Sequence, residues 1–182
     1  MPVSDPPGPP SDADLIAAWR SGDERAATDL VRRHAAALAR YLSAAGGGED
    51  VEDLVQETFF RAFRKLHGFR GTASYRTWIL AIGSNALKDL SRQRRKRPTL
   101  ALEERDVVDD AADPHAAVVE RDLERRLQEE VARLPAKQRD VFLLRAQQGM
   151  EYEDIANALN TTVGAARVHY HHAVKRLKSA LE

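Results

Sequence analysis

Apolar residues recur three and four apart along most of this chain, the spacing of helices that each bury one face. Ser11 can cap a first helix in which Leu15, Ile16, Ala18 and Trp19 form the apolar side, and Gly22 ends it. A second helix is predicted from about Asp23 to Leu42, with Ala27, Leu30, Val31, His34, Leu38 and Tyr41 inward, closed by Gly46, Gly47 and Gly48. A third begins near Glu49 and carries Val51, Leu54, Val55, Thr58, Phe59, Ala62, Phe63 and Leu66 on one stripe. After the Gly-punctuated loop 68–74, a fourth runs from about Tyr75 into a basic run and stops at Pro98.

Periodicity then lapses. Between Ala101 and Asp113 six acidic residues face Arg105 alone, a local charge of minus five, which reads as a linker. Helices resume near His115, with Val141, Phe142 and Leu143 as core candidates and Gly149 as a stop. Tyr152 to Leu159, a turn at Asn160 and Thr161, Thr162 as N-cap and a last helix to about Leu181 form a helix-turn-helix pattern. Ala156 and Ala166 are small where its two helices must cross, and Asn160 tolerates the left-handed geometry the turn needs. The expected fold is all-α: a loose tail (1–10), a helical domain (11–98), a flexible acidic linker (99–114) and a smaller helix-turn-helix domain (115–182).

With 28 basic against 28 acidic residues the formal net charge is zero, so any nucleic-acid contact must come from local clusters. The absence of cysteine excludes disulfides, thiolate metal sites and a cysteine nucleophile. The first ten residues contain five prolines and no basic–apolar signal pattern, and no stretch approaches the roughly 20 apolar residues that cross a bilayer. A cytoplasmic protein without membrane insertion is expected.

Four places carry candidate chemistry. On the polar side of the third helix, Asp53, Gln56, Glu57, Phe60 and Arg64 share a face; either Phe60 is a stray exposed apolar residue among solvating charges, or it centres a protein-docking surface. Around the loop before the fourth helix, Phe69, Arg70, Tyr75, Arg76 and Trp78 combine rings with cations. Such a set can stack unpaired bases, at about 1–3 kcal/mol each, or the rings can simply close the core. Arg92, Arg94, Arg95, Lys96 and Arg97 exceed what the helix dipole needs, which favours phosphate contact. In the last helix Arg167, His169, His171, His172, Lys175, Arg176 and Lys178 make a basic surface, with Val168, Tyr170, Ala173, Val174 and Leu177 assigned to the packing side. A helix of this kind fits a DNA major groove, although a basic amphipathic helix of other purpose has the same composition. The histidines lack the partners a metal site requires, the sequence matches no nucleotide-loop or nucleophile motif, and neither cofactor nor enzymatic activity is expected.

The string Asp53-Leu54-Val55-Gln56-Glu57-Thr58-Phe59 with Arg61-Ala62-Phe63, then Tyr75-Arg76-Thr77-Trp78-Ile79-Leu80 with Asn85, resembles region 2 of the extracytoplasmic-function sigma factors. Leu134-Pro135, Gln138-Arg139, Val141-Phe142 and Tyr152-Glu153-Asp154-Ile155-Ala156 with the terminal helix are similar to their region 4. The resemblance spans nearly everything from Leu15 to Leu181, and it implies an RNA polymerase subunit that selects promoters. Asp53, Gln56, Glu57, Phe60 and Arg61 would then grip the β′ clamp helices of the polymerase core. Phe69, Arg70, Tyr75, Arg76, Trp78, Asn85, Lys88 and Arg92 would open and hold the minus-ten element. Thr162, Arg167, His169, His171, His172, Lys175 and Arg176 would read the minus-thirty-five element, with the second domain on the β flap. An anti-sigma factor is an expected further partner.

This chain departs from the family pattern. Ala81 and Ser84 stand where two arginines are usual, and Gly83 between them should cost its helix about 1 kcal/mol relative to alanine. Ala165-Ala166 replaces threonine-valine, while His169 and His172 replace arginines; histidines on phosphate would make DNA binding strengthen as pH falls through about 6.5. Two other readings fit parts of the pattern: an autonomous helix-turn-helix regulator, which binds DNA without polymerase, and a protein adaptor whose basic surfaces bind acidic partners.

Overall fold

A computed structural model describes residues 8–96 and 116–182, the side chains of 116–121 excepted. The acidic linker and most of the proline-rich tail thus lie outside the described residues. No strand occurs among those that are described. Four helices build the first domain: α1 (Asp12–Arg20), α2 (Glu24–Ala44), α3 (Val51–Lys65) and α4 (Tyr75–Lys96). The second contains α5 (Ala116–Arg133), α6 (Ala136–Phe142), which runs on into a π-helical turn at Leu143–Gln147, then α7 (Tyr152–Leu159) and α8 (Val163–Leu181).

Local chemistry sets these boundaries as the sequence predicts. Ser11 caps α1 in a reciprocal capping box with Asp14, whose carboxyl the serine's hydrogen bonds hold below the usual range. The Thr162 hydroxyl accepts from the Ala165 amide at 3.1 Å, and Asn160 takes the left-handed conformation, φ 52°, that the turn between α7 and α8 demands. Asp12 ties α1 to α2 by accepting from Arg33 at 2.7 Å and meeting buried His34 at 2.9 Å.

Leu30, Leu38, Tyr41 and Leu42 of α2, Leu54, Phe59 and Ala62 of α3, and Ile79 and Leu80 of α4 form the first domain's core. Gly83 lies where α4 packs closely on α2 and α3. A Cβ there would come within 2.8 Å of Leu38 Cδ1 and 3.5 Å of Thr58 Oγ1, so the helix-propensity penalty expected from sequence secures a close three-helix approach. Ser84, likewise unusual at its position, is buried on the same helix.

In the second domain Val141, Leu143, Leu144, Ile155, Ala156, Ala166 and Ala173 are buried, with α7 packed on α8. Phe142 is only half-buried, against Tyr170 at 6.1 Å between centroids. The second domain packs on the first through α7 against α4 and through α5 and the π-helical turn against α2, giving one continuous core.

Candidate protein and nucleic-acid interfaces

The polar face of α3 carries Asp53, Gln56 and Glu57 in the open, with Phe60 58% exposed at its centre. Its neighbour in sequence, Phe59, is buried, because a step of one residue turns a helix by about 100°. The Arg64 guanidinium lies over the Phe60 ring, 5.6 Å from its centroid, without covering it. Arg61 bridges two helices, donating to Glu57 at 2.7 Å and to Asp89 of α4 at 2.9 Å. Asp53, Glu57, Arg61, Asp89, Leu90 and Gln93 line one shallow groove between α3 and α4. An exposed ring beside such a groove, rimmed by fixed charge, has the make-up of a docking surface.

A second set of rings gathers around the start of α4. Phe69 and Trp78 lie 4.9 Å apart, both half-buried, while Arg70, Arg76 and Asn85 are exposed. Tyr75 departs from the expectation of an accessible stacking ring. It is 2% exposed, wedged against His34 at 5.2 Å and Trp78 at 5.8 Å, with no hydrogen-bond partner for its hydroxyl among the described residues. It holds Trp78 from behind, because an aromatic at the first turn of α4 points back over the domain's core.

Sequence reading missed Arg20. From the last turn of α1 its guanidinium donates to the carbonyls of Leu66 at 2.8 Å and Phe69 at 2.7 Å, fixing the loop that presents Phe69 and Arg70. A single arginine in a helix end gives no sequence signal of a partner 46 residues away. Arg20→Ala is expected to lower stability by about 1–2 kcal/mol in chemical denaturation and to speed amide exchange across 66–70, with the helix ends unaffected.

Lys88 and Arg76 face the second domain. Arg76 donates to Gln148 at 2.8 Å, and Lys88 is half-buried near Asp140 of α6. Burial pushes the Asp140 carboxyl above its ordinary range despite the opposing pull of Lys88 and Arg139, and burial draws the Lys88 ammonium down. A carboxyl with a raised folded-state pKa adds stability while protonated and loses it as pH rises through that pKa. Asp140→Asn should therefore melt above the wild type at pH 7, with the difference shrinking to nothing by about pH 4 in thermal scans across pH. Farther along α4, Arg92 is exposed, 3.7 Å from Asp89, and Arg94 pairs with Asp50. Arg95 and Lys96 are exposed; Arg97 lies outside the described residues.

The structure sorts the basic residues of α8. His171, His172 and Lys175 are exposed on the side away from α6 and α7, with Gly164 about two to three turns before them. Arg167 is exposed but lies over the Tyr152 ring at 5.5 Å; Arg176 lines a shallow cavity with Glu130 and Arg133; His169 is half-buried, its Nδ1 enclosed without a partner among the described residues. Val168 and Val174, expected on the packing side, are 53% and 39% exposed. The buried ridge is Ala166, Ala173 and Leu177, and neither valine falls on it. No group able to hold a metal occurs among the described residues, and none of their helices is long and apolar enough to cross a membrane.

Comparison with known proteins finds two family matches along the chain. The family described as Sigma-70 region 2 matches residues 16–97, and that described as Sigma-70, region 4 matches residues 124–177. The chain is 34% identical over 184 residues to the RNA polymerase sigma factor CnrH of Cupriavidus metallidurans, covering 95% of this chain and 96% of that one. It is 28% identical over 181 residues to the ECF RNA polymerase sigma-E factor of Haemophilus influenzae, covering 94% and 96%. The solved structure of CnrH in complex with the cytosolic domain of CnrY superposes with a TM-score of 0.68 at 30% identity, over 93% of this chain and 96% of that one.

Proposed function

The chain belongs to the sigma-70 family of RNA polymerase sigma factors, in its extracytoplasmic-function branch, and on that footing we propose how its two domains divide the work of starting transcription. The first domain, ending near Pro98, docks on the β′ clamp helices of core polymerase through Asp53, Gln56, Glu57, Phe60 and Arg61. The start of α4 in the same domain takes the minus-ten element. Trp78 and Phe69, propped by Tyr75, offer ring faces to an unpaired base, while Arg70, Arg76, Asn85, Lys88 and Arg92 supply backbone and base contacts. The second domain, from about His115, sits on the β flap and lays α8 in the major groove of the minus-thirty-five element.

The observation that carries this reading is an exposed ring with acidic neighbours on α3 and an aromatic–arginine cluster around the start of α4, both borne by one four-helix unit. Binding to polymerase then fixes the position of the base-capturing rings. Strand opening draws on binding energy alone, so the chain makes and breaks no bond, and it acts in the cytoplasm where the chromosome is. Arg76 and Lys88 are held by the second domain in the packed arrangement, so promoter engagement requires that domain to leave α4. A protein of anti-sigma type that keeps the two domains packed is the regulator this arrangement suits; CnrH is itself solved bound to a protein partner.

The test is transcription by purified core polymerase with and without the chain on a genomic promoter library, with permanganate mapping of unpaired thymines. Chain-dependent transcripts preceded by an open bubble are expected, and Trp78→Ala should abolish the bubble while leaving core binding intact. Tight, specific promoter binding by the chain alone with no bubble on any template would overturn the proposal in favour of an autonomous regulator.

A further inference from the structure

Val168 occupies the centre of a face of α8 that no helix among the described residues covers. Gly164, Val168, His171 and Lys175 follow one another three or four apart, so the four positions form a single row, opposite the buried ridge of Ala166, Ala173 and Leu177. All four are exposed, and Val168 keeps 53% of its surface open. Val174 projects elsewhere: six residues on, a helix has turned about 240°. A branched apolar side chain in the midst of a polar, basic row has neither a packing role nor a solvation role there.

Resting on the placement of α8 in the promoter's major groove, we infer that Val168 reads a thymine in the minus-thirty-five element by contact with its C5-methyl group. The major groove presents one apolar group, that methyl, and it distinguishes a T·A pair from the other three at its own position. Val168 is the sixth residue of α8, within the N-terminal half that reaches base edges when a recognition helix enters the groove. One turn earlier Gly164 leaves open space, with nothing within 4 Å of where a Cβ would stand, so the base edge can come close to the backbone beside Val168. His171 and Lys175 continue the row as donors to the neighbouring base edge and phosphate. Specificity at one base pair thus comes from dehydration of two methyl-bearing surfaces rather than from a hydrogen bond.

The experiment uses holoenzyme assembled from the full chain and core polymerase. Duplexes are first selected from a pool randomised across the upstream element, and each thymine of the winning sequence is then replaced singly by deoxyuridine, which removes only the methyl. For the wild type, one replacement should weaken binding about fourfold, the worth of one buried methyl group. Val168→Ala should bind the parent duplex about as weakly as the wild type binds that deoxyuridine duplex, and the same replacement should then have no effect. Absence of any deoxyuridine penalty in the wild type, or a penalty of unchanged size in Val168→Ala, overturns the inference. Should wild-type holoenzyme select no upstream sequence at all, promoter reading by α8 fails first and this inference falls with it. Because Val168 is exposed, both proteins are expected to melt at the same temperature.

Discussion

Phe60→Ala is expected to weaken binding to core polymerase by about thirtyfold or more while leaving thermal stability within about 0.5 kcal/mol of the wild type. The two halves of this expectation come from one observation. The ring is 58% exposed, so truncation removes almost no contact within the chain, yet it stands amid Asp53, Gln56 and Glu57 beside the groove that Arg61 and Asp89 rim. A large ring surrounded by polar groups is where the energy of an interface concentrates once a partner excludes water from it. Phe59→Ala supplies the contrast: that side chain is buried, and its loss should cost about 3–5 kcal/mol of stability. Competition with a labelled wild-type chain for core polymerase, alongside thermal melts of both variants, checks the pair. Equal core affinity for Phe60→Ala and wild type would remove α3 from the docking surface.

Leu38→Ala is expected to destabilise the first domain by about 2–5 kcal/mol, and adding Gly83→Ala should recover part of that loss. Leu38 is fully buried, and its Cδ1 stands where a Cβ on residue 83 would otherwise fall, 2.8 Å away. Alone, Gly83→Ala sets a gain in helix propensity of about 1 kcal/mol against overpacking of a close crossing. With Leu38 shortened the clash disappears and only the gain remains. Urea denaturation of the wild type, both single variants and the double variant forms a cycle whose coupling term should be at least about 0.5 kcal/mol. Strict additivity would show that α2 and α4 do not meet at these residues.

Most of the secondary structure was legible because its signals are local. Ser11, Asn160 and Thr162 each act on backbone within three residues, so their caps and turn follow from spacing alone. The apolar stripe on α3 was legible for the same reason, as was the isolation of Phe60 on the opposite side. Along α8 the signal failed. The last helix alternates basic and apolar residues so closely that either valine could be assigned inward, and only the position of α6 and α7 against it decides that Ala166, Ala173 and Leu177 form the buried ridge.

The long-range ties were not legible at all. Arg20 holding the loop that displays Phe69, Tyr75 buried behind Trp78, and Lys88 and Arg76 turned toward Asp140 and Gln148 each join residues from distant parts of the chain. A hydrogen bond or a ring contact of that kind depends on how helices are set against each other, which periodicity does not record. By itself the sequence determined the helices, their caps, the division into two helical units and the motifs that mark the family, since each depends on neighbours one or two turns away. The tertiary structure alone decided which functional side chains stand free and which the molecule keeps for itself, because exposure depends on the packing of all the helices together.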